Sequence, residues 1–214
     1  DMDGIDAAQK LAVLAWHFGL GSIAPAEFET RGLRDLDRED LAAAAALGGT
    51  IKPIAAIEQA SGRTAAFVGP AFVPIAHRLA AVAGVENGLI LETASGPLFF
   101  SGPGAGPLAT ATTILDDVAE AARGVTTPPR GGGRTAVTSP STAWFVRVRG
   151  AGLDDAEVTA FLGAHGIWVR RSHACADGTW RLTHRCSRSR IDTALSALAS
   201  ATRCDVRALR ALEV

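Results

Sequence analysis

The sequence predicts an α+β protein in which a mixed sheet covered by helices is followed by a ferredoxin-like βαββαβ domain. Three observations support this fold class. The chain of 214 residues is 48% apolar and 20% charged, as in globular domains with a core. Apolar residues recur with helical spacing in some segments and alternate as in strands in others. A stretch rich in glycine and proline separates an acidic first part from a basic second part.

The boundary between the two parts lies in residues 125–141, which contain a Pro-Pro pair, three consecutive glycines and a Ser-Pro-Ser sequence. This composition is typical of a linker, because it offers few side chains for a core. We therefore predict one domain over residues 1–124 and a second over residues 142–214, joined by a linker at residues 125–141.

The first domain is predicted to contain three helices and four strands. Residues 7–18 are apolar nearly all round, which indicates a buried, central helix. Asp37 is a good N-cap for a second helix, which the glycines after Leu47 would end. A third, amphipathic helix is predicted over residues 109–122. Segments rich in β-branched and aromatic residues are expected to form one sheet, at residues 51–57, 64–68, 89–93 and 97–101.

The second domain is predicted from the order of its patterns, which is strand, helix, strand, strand, helix and strand. This order is that of a ferredoxin-like fold. The predicted segments are residues 144–149, 156–165, 167–172, 179–185, 191–199 and 205–214.

Composition also bears on partners and compartment. No apolar run reaches the roughly 18 residues that a membrane span needs, and the net charge is −1. The arginines are dispersed rather than clustered with aromatic residues, which argues against nucleic-acid binding. Three cysteines are too few for a disulfide framework and favour a reducing compartment. We expect a cytoplasmic protein with neither a membrane nor a nucleic acid as partner.

A zinc site is the other chemistry that the cysteines suggest. His173 and Cys175 lie close together in the sequence, as do His184 and Cys186. If a tight turn joins their two strands, the pairs lie about 23 Å apart at the usual rise per residue. One tetrahedral ion cannot bind both pairs, so we expect no metal site.

The first ten residues carry the clearest functional pattern. Gly4 and Asp6 lie at a helix start, and Lys10 follows Asp6 by one turn, so carboxylate and ammonium can pair. The pair is either an ordinary surface ion pair or part of a catalytic site. The chain has 19 arginines but only two lysines, and the helix is otherwise apolar, which predicts a semi-buried pair. Lysine suits acid–base work better than arginine, because it can lose its proton.

These residues resemble a known family. Asp1, Gly4, Asp6 and Lys10, with their spacing, resemble the second half of the homoserine dehydrogenase signature, whose first half would precede Asp1. Residues 79–88 are similar to a later segment of that family. The sequence GPGAG at residues 102–106, followed by Thr110, resembles its glycine-rich loop and helix, with departures at positions 107 and 109.

The resemblance implies an NAD(P)-dependent, reversible reduction of L-aspartate 4-semialdehyde to L-homoserine, a step in threonine, methionine and isoleucine biosynthesis. It implies that Lys10 and Asp6 are catalytic and that Asp1, Asp6 and Lys10 bind the substrate. It also implies a homodimer or homotetramer, and a first domain for substrate binding and dimerisation. The residues that it places near NADP or NAD are Gly102, Gly104, Ala105, Gly106 and Thr110.

The glycine-rich loop has a second interpretation, as a tight turn between a strand and a helix. The sequence has no G-x-G-x-x-G motif between a strand and a helix. We therefore expect NADP or NAD to be bound mainly by a nucleotide-binding domain that is absent from this chain.

The second domain resembles an ACT regulatory domain, on its element order and on residues 164–167 and 182–184. The resemblance implies an amino-acid effector. Residues 150–153 replace the family's Asp-Lys-Pro-Gly turn, so we expect weak threonine binding or none. The alternative function is that of a stand-alone amino-acid-sensing or scaffold protein that keeps the fold without catalysis.

Overall fold

The computed structural model describes residues 2–60, 62–124, 135–150, 154–176 and 178–213. By their internal contacts, residues 1–74 and 131–214 form one compact unit and residues 75–130 form another. The helices and strands are, in chain order, α1 (Ile5–His17), β1 (Glu29–Thr30), α2 (Arg38–Ala46), β2 (Gly49–Ala60), β3 (Arg63–Pro74), β4 (Glu86–Thr93), β5 (Gly96–Pro103), α3 (Pro107–Ala122), β6 (Val137–Thr138), β7 (Ala143–Arg149), α4 (Asp155–Ala164), β8 (Val169–Cys175), β9 (Gly178–Thr183), α5 (Arg188–Thr202) and β10 (Asp205–Ala211).

The described strands of the first unit form one sheet around β3. The antiparallel strand β2 pairs with β3 along its whole length. The other edge of β3 is shared by three parallel neighbours in succession, β6, β1 and β10. Since β10 also pairs with β7, it joins the two halves of the sheet. The sheet is therefore mixed, as the sequence predicts.

The second half of the sheet has the predicted ferredoxin-like topology. Its strands lie in the order β10, β7, β9 and β8, and each pairs antiparallel with its neighbours. The apolar side chains that alternate along β7 explain this arrangement: Trp144, Val146 and Val148 lie in one core with α4 and α5. The predicted order of strands and helices is confirmed.

The opposite face of this half is covered by α2, from the other end of the first unit's sequence. Ala43, Ala44 and Leu47 of this segment pack in one core with Phe145 of β7 and Trp180 of β9. Asp37 caps the helix, as predicted, by accepting a hydrogen bond from the amide of Asp40. The ferredoxin-like half is thus enclosed between its own helices and α2.

Charged groups join α2 to this sheet. The buried Asp40 carboxylate accepts hydrogen bonds from Arg147 Nη1 at 2.7 Å and from Trp180 Nε1 at 2.8 Å. Arg149 donates to both carboxylate oxygens of Asp37. Arg147 also donates to Asp205 of β10 at 2.7 Å. One cluster therefore ties α2, β7, β9 and the start of β10 together.

Acid is expected to weaken this cluster. The Arg149 guanidinium holds the pKa of Asp37 well below its ordinary value of 3.8 in the folded protein. The unfolded chain therefore takes up a proton at Asp37 more readily, and the free energy of unfolding falls as pH drops below about 4. We expect Arg149→Gln to cost about 1 kcal/mol at pH 7, since Asp37 is partly exposed. The variant's stability should also depend less on pH between 5 and 2.5, as urea denaturation would show.

Arg63→Gln is the control for this comparison, because Arg63 is exposed at the start of β3. Its unfolding free energy should follow that of the parent protein across the pH range. Equal pH dependence in the parent and in Arg149→Gln would contradict the role given to this ion pair.

The second unit contains β4, β5 and α3. The two strands form an antiparallel hairpin from the pair Glu86 and Pro103 to the pair Thr93 and Gly96. The expectation that four strands of the first part form one sheet is therefore wrong, since β4 and β5 pair only with each other among the described strands. None of the described residues of α3 is buried, and Leu108, Ile114, Leu115 and Val118 are exposed.

The two compact units divide the chain differently from the predicted domains 1–124 and 142–214. The predicted linker, residues 125–141, contains β6, which pairs with β3. Pairing of β10 with β3 brings residues 142–214 into one unit with residues 1–74, because main-chain hydrogen bonds cross the predicted boundary. Among the described residues, no helix is both long enough and apolar enough to cross a membrane.

Candidate active site

The start of α1 lies close against β1 and β3. Gly4 caps the helix with a φ of +78°, in the left-handed region that glycine adopts readily. A Cβ at this position would lie 3.0 Å from the Thr30 side chain and 3.4 Å from that of Val68. A larger residue at position 4 would therefore push the helix start away from the sheet.

Helical spacing decides which side chains of α1 face the sheet. Ala8, Leu11 and Ala15 are buried in a core with Ala66 and Val68 of β3. The remaining side chains are partly or fully exposed, so the prediction of a buried, central helix is wrong within this structure. Of the other apolar side chains of α1, two pack at the edge of this core and others are exposed.

Asp6 and Lys10 lie on the exposed side of α1. Their carboxylate and ammonium groups are 2.8 Å apart, and the side chains are 51% and 63% exposed. The predicted pairing is confirmed. The expectation of a semi-buried pair is wrong, because both residues lie off the stripe that packs on β2 and β3. A substrate can reach both groups from solvent, one an acceptor of hydrogen bonds and the other a donor with a transferable proton.

The residues just before α1 are supported by a loop that sequence reasoning missed. The amide of Leu33 donates to the carbonyl of Met2 at 2.8 Å. Arg34 donates to both carboxylate oxygens of Asp3, at 2.7 and 3.0 Å, and this lowers the pKa of Asp3. The only sequence signal was the run of charges at residues 34–40, which a helix start also explains. Asp1 lies outside the described residues.

The glycine-rich loop belongs to the second unit. It runs from the end of β5 to α3, as predicted, with Gly106 as N-cap at a φ of +115°. Thr110, in the first turn, donates its hydroxyl to the Gly106 carbonyl at 3.1 Å. The amide of Gly104 donates to the Val85 carbonyl at 2.8 Å, and a Cβ at Gly104 would lie 2.1 Å from the Asn87 side chain. A side chain at position 104 would therefore require the exposed Asn87 side chain of β4 to move.

Two other glycines of the loop leave room above the backbone. No atom lies within 4 Å of the place that a Cβ would take at Gly102 or Gly106. Ala105, between Gly104 and Gly106, is exposed. The structure thus confirms the strand-to-helix turn and leaves an accessible face on it. Its role toward NADP or NAD stays a prediction.

The two His–Cys segments that suggest zinc lie in the ferredoxin-like half. Cys175 is exposed at the end of β8 and pairs with Gly178, whereas Cys186 is buried and bridges to Thr142. Across the described residues, no three metal-ligating side chains lie together. The altered turn at residues 150–153 lies outside the described residues, apart from Gly150.

Comparison with known proteins places these features in one family. A model of the family "Homoserine dehydrogenase" matches residues 1–119. The homoserine dehydrogenase of Lactococcus lactis is 38% identical over 120 residues, which are 55% of this chain and 28% of that protein. That of Mycobacterium tuberculosis is 38% identical over 129 residues, which are 58% of this chain and 29% of that protein.

Solved structures extend the likeness to the whole chain. The crystal structure of a homoserine dehydrogenase from Thiobacillus denitrificans has a TM-score of 0.85 at 25% identity, covering 100% of this chain and 54% of that one. A homoserine dehydrogenase from S. aureus, at 22% identity and a TM-score of 0.80, shares the fold. The chain spans about half of the Thiobacillus protein. On the match to residues 1–119, which include Gly4, Asp6, Lys10 and the glycine-rich loop, this chain belongs to the homoserine dehydrogenase family.

Proposed function

We propose that this chain supplies the substrate-binding and acid–base part of a homoserine dehydrogenase. The reaction is the reversible, NAD(P)-dependent reduction of L-aspartate 4-semialdehyde to L-homoserine. The observation that carries the proposal is the Asp6–Lys10 pair at 2.8 Å, exposed on α1 inside the region that the family model matches.

The two side chains have different tasks. The Lys10 ammonium donates a hydrogen bond to the aldehyde oxygen and stabilises the negative charge that develops there during reduction. It then gives that oxygen its proton and regains one from solvent, to which it is exposed. The Asp6 carboxylate holds the ammonium of the amino-acid substrate. The Asp1 carboxylate is proposed, on the family resemblance of its position in the sequence, to bind the same group.

When bound, the reduced nicotinamide of NADPH or NADH would supply the hydride for this reduction. Gly102, Gly104, Ala105, Gly106 and Thr110 are proposed to approach it. The open space at Gly102 and Gly106 fits a flat ring, because no side-chain atom separates it from the backbone. The rest of the nucleotide needs a phosphate-binding unit, and the sequence has no motif for one.

The test uses this chain alone and joined to a nucleotide-binding unit of the family. Alone, it should not bind NADPH or NADH with micromolar affinity in a calorimetric titration. Joined, it should oxidise L-homoserine with NADP⁺ or NAD⁺, followed by absorbance of the reduced nucleotide. Tight cofactor binding by the chain alone would contradict the proposed division of labour. Inactivity of the folded, joined protein would favour the non-catalytic sensing function.

Assembly and regulation are further parts of the proposal. The exposed apolar side chains of β4, β5 and α3 support a homodimer or homotetramer, since patches of this kind mark contact surfaces. The ferredoxin-like half supports an ACT-type regulatory role with an amino-acid effector. The three free cysteines fit a cytoplasmic location.

A further inference from the structure

A cleft lies in the first unit, where the loop after β1 meets β10. Its volume is about 290 Å³, close to the lower end of the range for small-molecule sites. Apolar contacts come from Leu36, Pro70 and Leu209, and polar groups come from Arg31, Asp35 and Arg207. A cleft of this size suits a metabolite of few heavy atoms.

Both guanidinium groups of the cleft are held in place by the protein. Arg31 Nη1 donates to the Ala208 carbonyl at 2.8 Å, and its side chain is 37% exposed. Arg207 is 24% exposed, donates to the Asp35 carbonyl, and has Nη2 3.2 Å from the Asp35 carboxylate. Fixed guanidinium groups lose little freedom on binding, and their planar N–H groups match carboxylate or phosphate oxygens.

The charge balance around Arg31 favours an anion. Its nearest carboxylate, Glu29, is 3.8 Å from Nε and already binds Arg188 and Arg210. Three guanidinium groups thus share one carboxylate. The partner of Arg207, Asp35, has a side chain that is 75% exposed, and an exposed pair of this kind contributes little to stability. The Asp35 carboxylate can therefore be displaced at small cost.

We propose that this cleft binds a small organic anion through Arg31 and Arg207, and that its carboxylate or phosphate group displaces the carboxylate of Asp35. The ligand would then bridge the loop after β1 to the strand that joins the two halves of the sheet. The same loop holds the start of α1 through Leu33 and Arg34.

The test measures binding by the folded chain and requires no enzymatic activity. Succinate and inorganic phosphate are the probes, and sodium chloride at equal ionic strength is the reference. At a concentration about 20 times the dissociation constant, a binding probe should raise the midpoint of thermal unfolding by about 5 °C above the reference. A shift with succinate alone assigns a carboxylate ligand, and a shift with phosphate alone assigns a phosphate. If neither probe exceeds chloride, the proposal is overturned.

Two variants of the cleft and one control variant separate this site from general anion effects. Arg207→Gln should weaken probe binding by at least tenfold. Asp35→Asn should strengthen it several-fold, since the competing carboxylate is gone. Arg63→Gln removes an exposed arginine of β3 and should leave binding unchanged. Weaker binding in Asp35→Asn, or unchanged binding in Arg207→Gln with the native circular dichroism spectrum, would overturn the assignment.

Discussion

Lys10→Ala is expected to lower kcat for homoserine oxidation by on the order of 10³-fold when this chain is joined to a nucleotide-binding unit. The ammonium acts on charge that is present mainly in the transition state, so kcat should fall more than KM changes. The fold should persist, because an exposed pair separated by one helical turn contributes at most about 0.5 kcal/mol. Steady-state kinetics and circular dichroism measure both effects.

Two further variants sharpen this prediction. Lys10→Arg should recover little activity, because guanidinium does not give up its proton and is larger than an ammonium. Lys52→Ala removes the chain's other lysine, which lies on β2 rather than on α1, and should retain activity. A loss of less than tenfold in Lys10→Ala would contradict the role given to Lys10.

Asp40→Ala is expected to have the largest effect on stability, lowering the free energy of unfolding by about 3 kcal/mol. The substitution removes the buried acceptor of the Trp180 indole N–H and of Arg147 Nη1, which then keeps Asp37 at 3.3 Å. The loss should lie at the lower end for a broken buried pair, because Arg147 keeps Asp205 at 2.7 Å. Urea denaturation measures the difference.

The neighbouring residue provides the control. Glu39 is also in the first turn of α2, but it is exposed and lies 3.7 Å from Arg149. Glu39→Ala should therefore change stability by no more than about 0.5 kcal/mol. The loss of stability in Asp40→Asn should lie between the losses in Asp40→Ala and Glu39→Ala, because the asparagine keeps an acceptor for Trp180 but has no charge. A loss below about 1 kcal/mol in Asp40→Ala would show that the cluster contributes little.

Local signals predicted most individual elements of this fold. The cap at Asp37, the glycines after Leu47 and the alternation along β7 each depend on neighbours within a few residues, and the structure has all three. The ferredoxin-like order followed from the sequence of such signals. Pairing between distant strands has no local signal. The contacts of β3 with β10 could therefore not be read from the sequence, and β4 and β5 were assigned to the wrong sheet.

The sequence predicted which charged groups of the candidate site pair, but not how exposed those groups are. The spacing of Asp6 and Lys10 requires that they share a helix face, whatever that face contacts. Their burial depends on which face of α1 packs on β2 and β3. Because apolar residues occur on nearly every side of the helix, the sequence does not show which face that is. Spacing alone could not reveal two groupings of residues that are far apart in the chain. These are the ion pair of Asp3 with Arg34, and Arg31 with Arg207 in the cleft.

The position of β10 has a consequence for synthesis on the ribosome. Residues 205–211 emerge after every other described strand, yet β7 pairs with them along its whole length and β3 at one end. Until they emerge, β7 has an open edge that can pair with another nascent chain. Translation that stalls before residue 205 is therefore expected to yield chains that aggregate or are degraded, because no earlier strand among the described residues pairs with that edge.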